Sequence, residues 1–243
     1  MTEQIVLREN TSKNTHSTVA QLIAVEKPQK VLDIPCGEGA FSQRLMASGY
    51  ETYSADCLNL LKVDNPRFIQ ADMNQQLPFE ESSLDAIACI DGIEHIERPF
   101  DFVRECQRVL RKDGAMVIST PNISSLRSRW RWFLTGFHNK CKSPLDETNR
   151  NPLHHINMLS YPELRYMLHT NGFRIERITA NRIKPISYLY GIILPISYYV
   201  TRKVFKKEAR SESEWQVSRQ TLKDIFKAPV LFGETLVLLA RKI

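Results

Sequence analysis

The sequence predicts an α/β protein, a doubly wound and mostly parallel sheet with helices on both faces. Three observations predict it. Short apolar runs alternate with helical stretches up to about residue 120, a glycine turn joins the first run to its helix, and each of the first four runs ends on or near an aspartate. At 243 residues the chain suits a single domain, 1–243, with insertions at about 122–158 and 182–230.

Residues 15–27 have helical spacing, and Pro28 stops them ahead of "KVLDI", which is too short for a helix and reads as the first strand. "AFSQRLMASG" then places Phe41, Leu45 and Met46 on one helical face, with Gly49 as its stop. The second strand is "YETYSADC", ending at Asp56. The third is "RFIQADM", ending at Asp72, and the fourth is "LDAIACIDG", ending near Asp91. Phe102, Cys106, Val109 and Leu110 form the stripe of the next helix, "KDG" turns, and "AMVISTPN" is a fifth strand halted by Pro121. "SYPELRYMLHTNGF" reads as a Ser-capped helix stopped by Gly172, and "FRIERITA" and "GETLVLLARK" are the last strands.

The apolar fraction is 42% and the charged fraction 25%, which excludes disorder and fibrous repeats. Five scattered cysteines without a C-x-x-C pair, behind an N-terminus that lacks a secretory pattern, read as free thiols in a reducing cytoplasm. The net charge of +6 is concentrated in two stretches. One holds Arg127, Arg129, Arg131, Lys140 and Lys142, and the other covers residues 182–210.

A glycine turn between strand and helix lets a ligand approach the backbone, while the helix start supplies unpaired N–H groups. Gly37 and Gly39 make that turn, but position 42 is Ser, so the third glycine of a dehydrogenase fingerprint is missing. Asp33, Asp56 and Asp72 stand where carboxylates meet an ammonium or the turn amides, a ribose diol and an adenine edge. For Asp33 a turn-stabilising role, and for Asp56 a helix cap, are the simpler readings of each residue alone.

The ordered set "LDIPCGEG", "SADC", "QADMNQQLPFEESSLDAI" and "VLRKDGAMVISTPN" resembles the class I S-adenosylmethionine-dependent methyltransferases over residues 31 to about 120. The resemblance implies a Rossmann-like, seven-stranded sheet whose last strand is antiparallel, and S-adenosyl-L-methionine as cofactor. It implies a cofactor site of Asp33, Pro35, Gly37, Gly39, Asp56, Cys57, Asp72, Met73 and Asp91. Pro35 departs from it, standing where the family more often has a glycine.

Methyl transfer requires a positioned acceptor and, for a hydroxyl, a route for its proton. Asp91, Glu94 and His95 fall at i, i+3 and i+4 after the fourth strand, a spacing that gathers them on a helical turn. The segment resembles that of ubiquinone-pathway O-methyltransferases, which use it with a divalent metal. Here Asp replaces the first Glu, so no metal is the leading expectation and Asp91, Glu94 and His95 are the alternative ligands. His95, Glu94 and His155 are the candidate catalytic residues, with a packed histidine and a surface loop as the plainer readings of His95 and His155.

Residues 122–158 are expected to cap the acceptor, and the aromatics of "SSLRSRWRWFLTGFHNK" to dock partly on the core. "IKPISYLYGIILPISYYVTRKVFKK" has only about 15 apolar residues between helix breakers, too few for a membrane span. Residues 183–207 thus suit contact with the membrane interface, which puts the protein in the cytoplasm or at the inner face of the membrane; a lid or dimer face is the rival reading. No amino-methylase element or RNA-binding module is present, which argues against nucleic acid as acceptor. Resemblance to bacterial methyltransferases of cell-surface intermediates favours a small-molecule, saccharide or lipid-linked acceptor. A cofactor-binding peripheral membrane or interaction protein without catalysis, and an NAD-dependent oxidoreductase, are the alternatives.

Overall fold

The computed structural model describes residues 7–141, 143–149 and 151–243. Lys142 and the opening segment 1–6 lie outside the described residues. The chain runs α1 (Thr15–Glu26), β1 (Lys30–Asp33), α2 (Ala40–Ala47), β2 (Glu51–Asp56), β3 (Phe68–Gln70), β4 (Leu84–Ile90), α3 (Pro99–Val109) and β5 (Leu110–Pro121). It continues with α4 (Leu126–Thr135), α5 (Tyr161–Thr170), β6 (Phe173–Ala180), α6 (Leu194–Glu208), α7 (Glu212–Ile225), α8 (Ala228–Phe232) and β7 (Thr235–Lys242).

The seven strands form one sheet in the order β3-β2-β1-β4-β5-β7-β6. Strands β1 to β5 pair in parallel, and β7 slots antiparallel between β5 and β6, as the resemblance implied. The chain order reverses between β1 and β4, which opens a crevice at their carboxyl ends. Alternation along each strand feeds two cores. Leu32, Ile87 and Met116 face the cluster that holds Phe102 of α3 and Leu168 of α5. Their neighbours Val31, Ala88 and Val117 face the cluster of Val19 and Ile23 of α1 and Phe41 of α2. The start of α5 is a capping box, Ser160 with Glu163.

Strand ends differ slightly from the expectation. β3 stops at Gln70, because Asp72 Oδ1 accepts from Asn74 N at 2.8 Å and turns the chain. β4 stops at Ile90, because Asp91 takes a left-handed φ of 44°. The "KDG" turn is a bend inside β5, with Asp113 at φ 60°.

The second insertion is largely helical, whereas the first holds one helix, α4, among its described residues. Residues 185–193 form a 3₁₀ segment that leads into α6, and Asn122 Nδ2, just past β5, donates to the carbonyls of Pro229, Val230 and Gly233 at 3.0 Å each. The second insertion is thereby tied to the carboxyl end of the sheet. The aromatics of α4 do not dock on the core as expected. Its buried positions are Leu126 and Ser128, whereas Trp130, Trp132 and Phe133 are 45%, 54% and 73% exposed. Leu126 is the buried apolar residue of α4, packing with Leu231 and Phe232 of α8, and the exposed aromatics lie beyond that first turn. Among the described residues, no helix is long and apolar enough to cross a membrane.

Candidate active site

Asp33, Asp56 and Asp72 come together along one rim. Asp33 pairs in register with Ser54, two residues before Asp56, and Ala71 N donates to Asp56 O at 2.9 Å, which sets Asp72 beside it. The glycine turn lies between the first two acids. Gly37 N donates to Asp56 Oδ2 at 2.9 Å and Leu58 N to Oδ1 at 3.2 Å, so Asp56 braces the turn rather than capping a helix. Each carboxylate oxygen has a second lone pair left for a diol. Gly37, at φ 52°, has no atom of the described residues within 4 Å of where a Cβ would stand, so the space over the turn is open among them. Gly39 is closed from the other side, since a Cβ there would lie 2.6 Å from Val63 and 2.8 Å from Leu61.

Asp33 is buried, and only one of its oxygens is matched: Oδ2 accepts from Ser42 Oγ at 2.6 Å, while Oδ1 has no partner among the described residues. Burial raises its pKa to about 7, against the stabilising Ser42 hydroxyl. The turn amides do not reach Asp33, because Gly37 N goes to Asp56 and Gly39 N to Cys36 O. An orphaned carboxylate oxygen, an open volume over Gly37, and an α2 start without a side-chain cap or an acid in its first turn fit the ammonium and carboxylate of a methionine moiety.

The remaining expected cofactor residues border this rim unequally. Cys57 is exposed beside Asp56, and Asp72 is exposed with its carboxylate on Asn74. The Met73 side chain is buried in the main core, so it supports the rim from below. The Pro35 ring sits where a Gly92 side chain would be, its Cδ 2.3 Å from that Cβ position.

Across the crevice, Glu94 and His95 lie on a short 3₁₀ turn, Ile93–His95. The spacing expectation is corrected here. Asp91 precedes the turn and accepts from Ser119 Oγ at 2.6 Å, and its place in the group is taken by His155. The ligand atoms of Glu94, His95 and His155 all lie within 4.8 Å of one another, and the two imidazoles meet edge to face at 4.7 Å. Asn157 N donates to Glu94 O at 2.9 Å, which pins the His155 loop to the strand end.

Glu94 is fully buried, with Thr120 Oγ1 donating to Oε2 at 2.9 Å and Oε1 unmatched among the described residues. Burial, then the nearby charge of Asp91, raises it to about 8. Burial also lowers His95, against its bond to the His154 carbonyl. Burial lowers His155 to about 4, helped by His95 and Lys140, and its Nδ1 is buried without a partner among the described residues. His95 Nδ1 lies 3.1 Å from His154 O. A carbonyl only accepts, so Nδ1 carries the hydrogen and Nε2 is the free acceptor. Two imidazoles and a carboxylate also form a donor set that suits a divalent transition ion.

Reading the sequence missed Ser42, Ser119 and Thr120 as partners of the site acids. The only signal was the Ser at the third glycine position; Ser119 and Thr120 carry none beyond their place near the end of the fifth strand.

Residues 32–118 match a family model described as a methyltransferase domain. A probable S-adenosylmethionine-dependent methyltransferase of Mycolicibacterium smegmatis is 28% identical over 173 residues, covering 66% of this chain and 58% of the relative. A ubiquinone biosynthesis O-methyltransferase of Dechloromonas aromatica is 28% identical over 107 residues, covering 39% of this chain and 45% of the relative. The chain thus spans about half the length of the curated relatives it matches. A solved S-adenosylmethionine-dependent methyltransferase from Archaeoglobus fulgidus aligns with a TM-score of 0.57 at 20% identity, covering 93% of this chain and 92% of that one, a likeness of fold. The domain matched over the glycine turn counts against the NAD-dependent reading of that turn.

Proposed function

We propose that this chain is a class I S-adenosylmethionine-dependent methyltransferase and that it methylates a hydroxyl oxygen of a small-molecule, saccharide or lipid-linked acceptor. The observation that carries the reading is the convergence of Glu94, His95 and His155 across the crevice from the Asp33–Gly37–Asp56 rim. The ubiquinone biosynthesis O-methyltransferase among the relatives supports oxygen as the atom methylated.

S-adenosylmethionine supplies the methyl group, activated on a sulfonium. The chain's own residues do the rest. Asp33 Oδ1 would meet the ammonium, the glycine turn and the start of α2 would receive the carboxylate, Asp56 would hold the ribose diol, and Asp72 would flank the adenine. Pro35, Cys57, Met73 and Asp91 shape the walls. On the acceptor side His95 and His155 are neutral near pH 7 because burial disfavours their charged forms. His95 Nε2 accepts the acceptor's proton as oxygen attacks, and Glu94, raised to about 8, holds its own proton and so adds no charge to the pocket. Positioning supplies much of the rate, since the displacement is in line.

The test is methyl transfer from radiolabelled donor into total lipid and sugar-nucleotide extracts. Label entering one hydroxylated component with wild type and not with His95→Ala supports the reading. Equal labelling by both removes His95 from the chemistry.

The same cluster favours a second reading, in which Glu94, His95 and His155 hold a divalent ion that polarises the acceptor oxygen. Calorimetric titration with zinc and with manganese decides it. Binding lost in His155→Ala supports the ion, and no binding retires it.

A further inference from the structure

We infer that α4 and the segment 185–207 together form a docking surface for an anionic lipid bilayer. The two elements are neighbours. Leu126 of α4 shares an apolar cluster with Leu231 and Phe232, against which Ile183, Tyr190, Ile193 and Leu194 pack. Outside that contact both turn large apolar side chains to solvent. Leu189, Ile192 and Ile196 are 70%, 86% and 66% exposed, and Phe133 of α4 is 73% exposed. On α6, Ile196, Tyr199, Val200, Lys203 and Lys207 fall at i, i+3, i+4, i+7 and i+11, a single stripe that is apolar at its start and cationic at its end.

Charge identifies the occupant. Residues 126–141 and 185–207 contain no Asp or Glu. Arg127, Arg202, Lys203, Lys206 and Lys207 are exposed and make no ion pair among the described residues. A second copy of the chain seated on this surface would set like charges against each other, which disfavours a self-complementary dimer. A nucleic acid would satisfy the cations and leave the isoleucines in water. An anionic bilayer satisfies both, with apolar side chains entering the headgroup boundary, Trp and Tyr at headgroup level and lysines extending to the phosphates. The 15-residue α6 lies in the plane of the surface, since no described helix is long and apolar enough to span. Asn122 ties the same insertion to the carboxyl end of β5, so docking brings the open rim of the sheet toward the membrane.

The experiment is flotation of the full chain with vesicles of phosphatidylcholine alone and of phosphatidylcholine mixed with phosphatidylglycerol, at low and high salt. Wild type is expected to float with the mixed vesicles, to float weakly with the neutral ones, and to be released by salt. Lys203→Glu with Lys206→Glu and Lys207→Glu is expected to lose at least roughly a hundredfold in partitioning, at about fivefold per lysine removed. Ile192→Asn with Ile196→Asn is expected to lose roughly tenfold through the apolar component. Calorimetric binding of S-adenosylhomocysteine, unchanged in both variants, shows that each is folded and keeps this result separate from the catalytic reading. No flotation of wild type with anionic vesicles overturns the inference. So does equal flotation with both vesicle types, or wild-type partitioning by both variants. A dimer dispersed by Ile192→Asn, or tight binding of mixed-sequence RNA without vesicle binding, overturns it in favour of those partners.

Discussion

The Ser42 hydroxyl donates to Asp33 Oδ2 at 2.6 Å, and Ser54 Oγ donates to Ser42 at the same distance, which leaves Asp33 Oδ1 as an end of a buried polar chain unmatched among the described residues. Asn65 Nδ2 completes the chain by donating to Ser54 Oγ at 2.7 Å. The residue that breaks a dehydrogenase glycine fingerprint therefore has a role of its own: it holds the acid that precedes the turn.

A pH dependence of stability follows. Asp33 is raised from 3.8 to about 7 by burial, so the folded apoprotein keeps a proton that the unfolded chain gives up. Its contribution is fully present below about pH 4 and is lost as pH rises through 7, on the order of a few kcal/mol. Urea unfolding of the apoprotein across that window is expected to show stability falling with pH in wild type and a flatter profile in Asp33→Asn. Parallel profiles would take Asp33 out of the account.

Cofactor binding should act on the same proton. An ammonium placed at Oδ1 favours the carboxylate, so binding S-adenosylhomocysteine at pH 6 to 7 is expected to release a proton. Calorimetry in two buffers of different ionisation enthalpy reads this directly. The release should vanish in Asp33→Asn, and Ser42→Ala should enlarge it by raising the carboxyl further.

Asp56 and Gly37 separate grip from space. Asp56→Ala removes a carboxylate that braces Gly37 N and, in our reading, holds the ribose, and it is expected to weaken S-adenosylhomocysteine binding by roughly 1–3 kcal/mol. Gly37→Val should do worse. It places a branched side chain at φ 52° and fills the open volume where no atom of the described residues lies within 4 Å. Affinity near wild type in Gly37→Val would mean that the ligand lies elsewhere.

These residues also mark how far the sequence could be read. Strand acids were legible because alternation fixes which residues enter the core, and the chain must turn where alternation stops; Asp33 and Asp56 follow from that alone, whereas Asp72 lies two residues past the end of β3, in the turn it makes with Asn74. The meeting of His155 with Glu94 was not legible. It depends on Asn157 bonding to Glu94 O across 63 positions of sequence, a contact that no local period encodes. The outward aromatics of α4 were misread for a related reason. Helical spacing shows which residues share a face, and only the packing of Leu126 on α8 shows which face is buried.

The acceptor-side histidines should separate binding from chemistry. His95→Gln and His155→Ala are expected to leave S-adenosylhomocysteine affinity within a factor of about two and to lower kcat on a methylated acceptor by roughly 10²–10⁴-fold, the usual worth of a general base. A rise in KM alone would assign them to acceptor binding.

Pro35, the departure from the family glycine, carries the last prediction. Its ring occupies the space a Gly92 side chain would need, with Cδ 2.3 Å and Cγ 2.9 Å from that Cβ position, so the proline on one side of the crevice requires the glycine on the other. Gly92 has an ordinary backbone, φ −119°, so sterics rather than conformation holds it there. Gly92→Ala is expected to destabilise by roughly 1–3 kcal/mol, as overpacking does, because a rigid ring at the turn entrance cannot swing away. In a Pro35→Ala background the same change should cost markedly less, and denaturant unfolding of the four proteins of that double-mutant cycle measures the difference. Additive effects would show that the two residues do not constrain each other, and that Gly92 answers instead to Cys89, whose Sγ lies 3.3 Å from the same point.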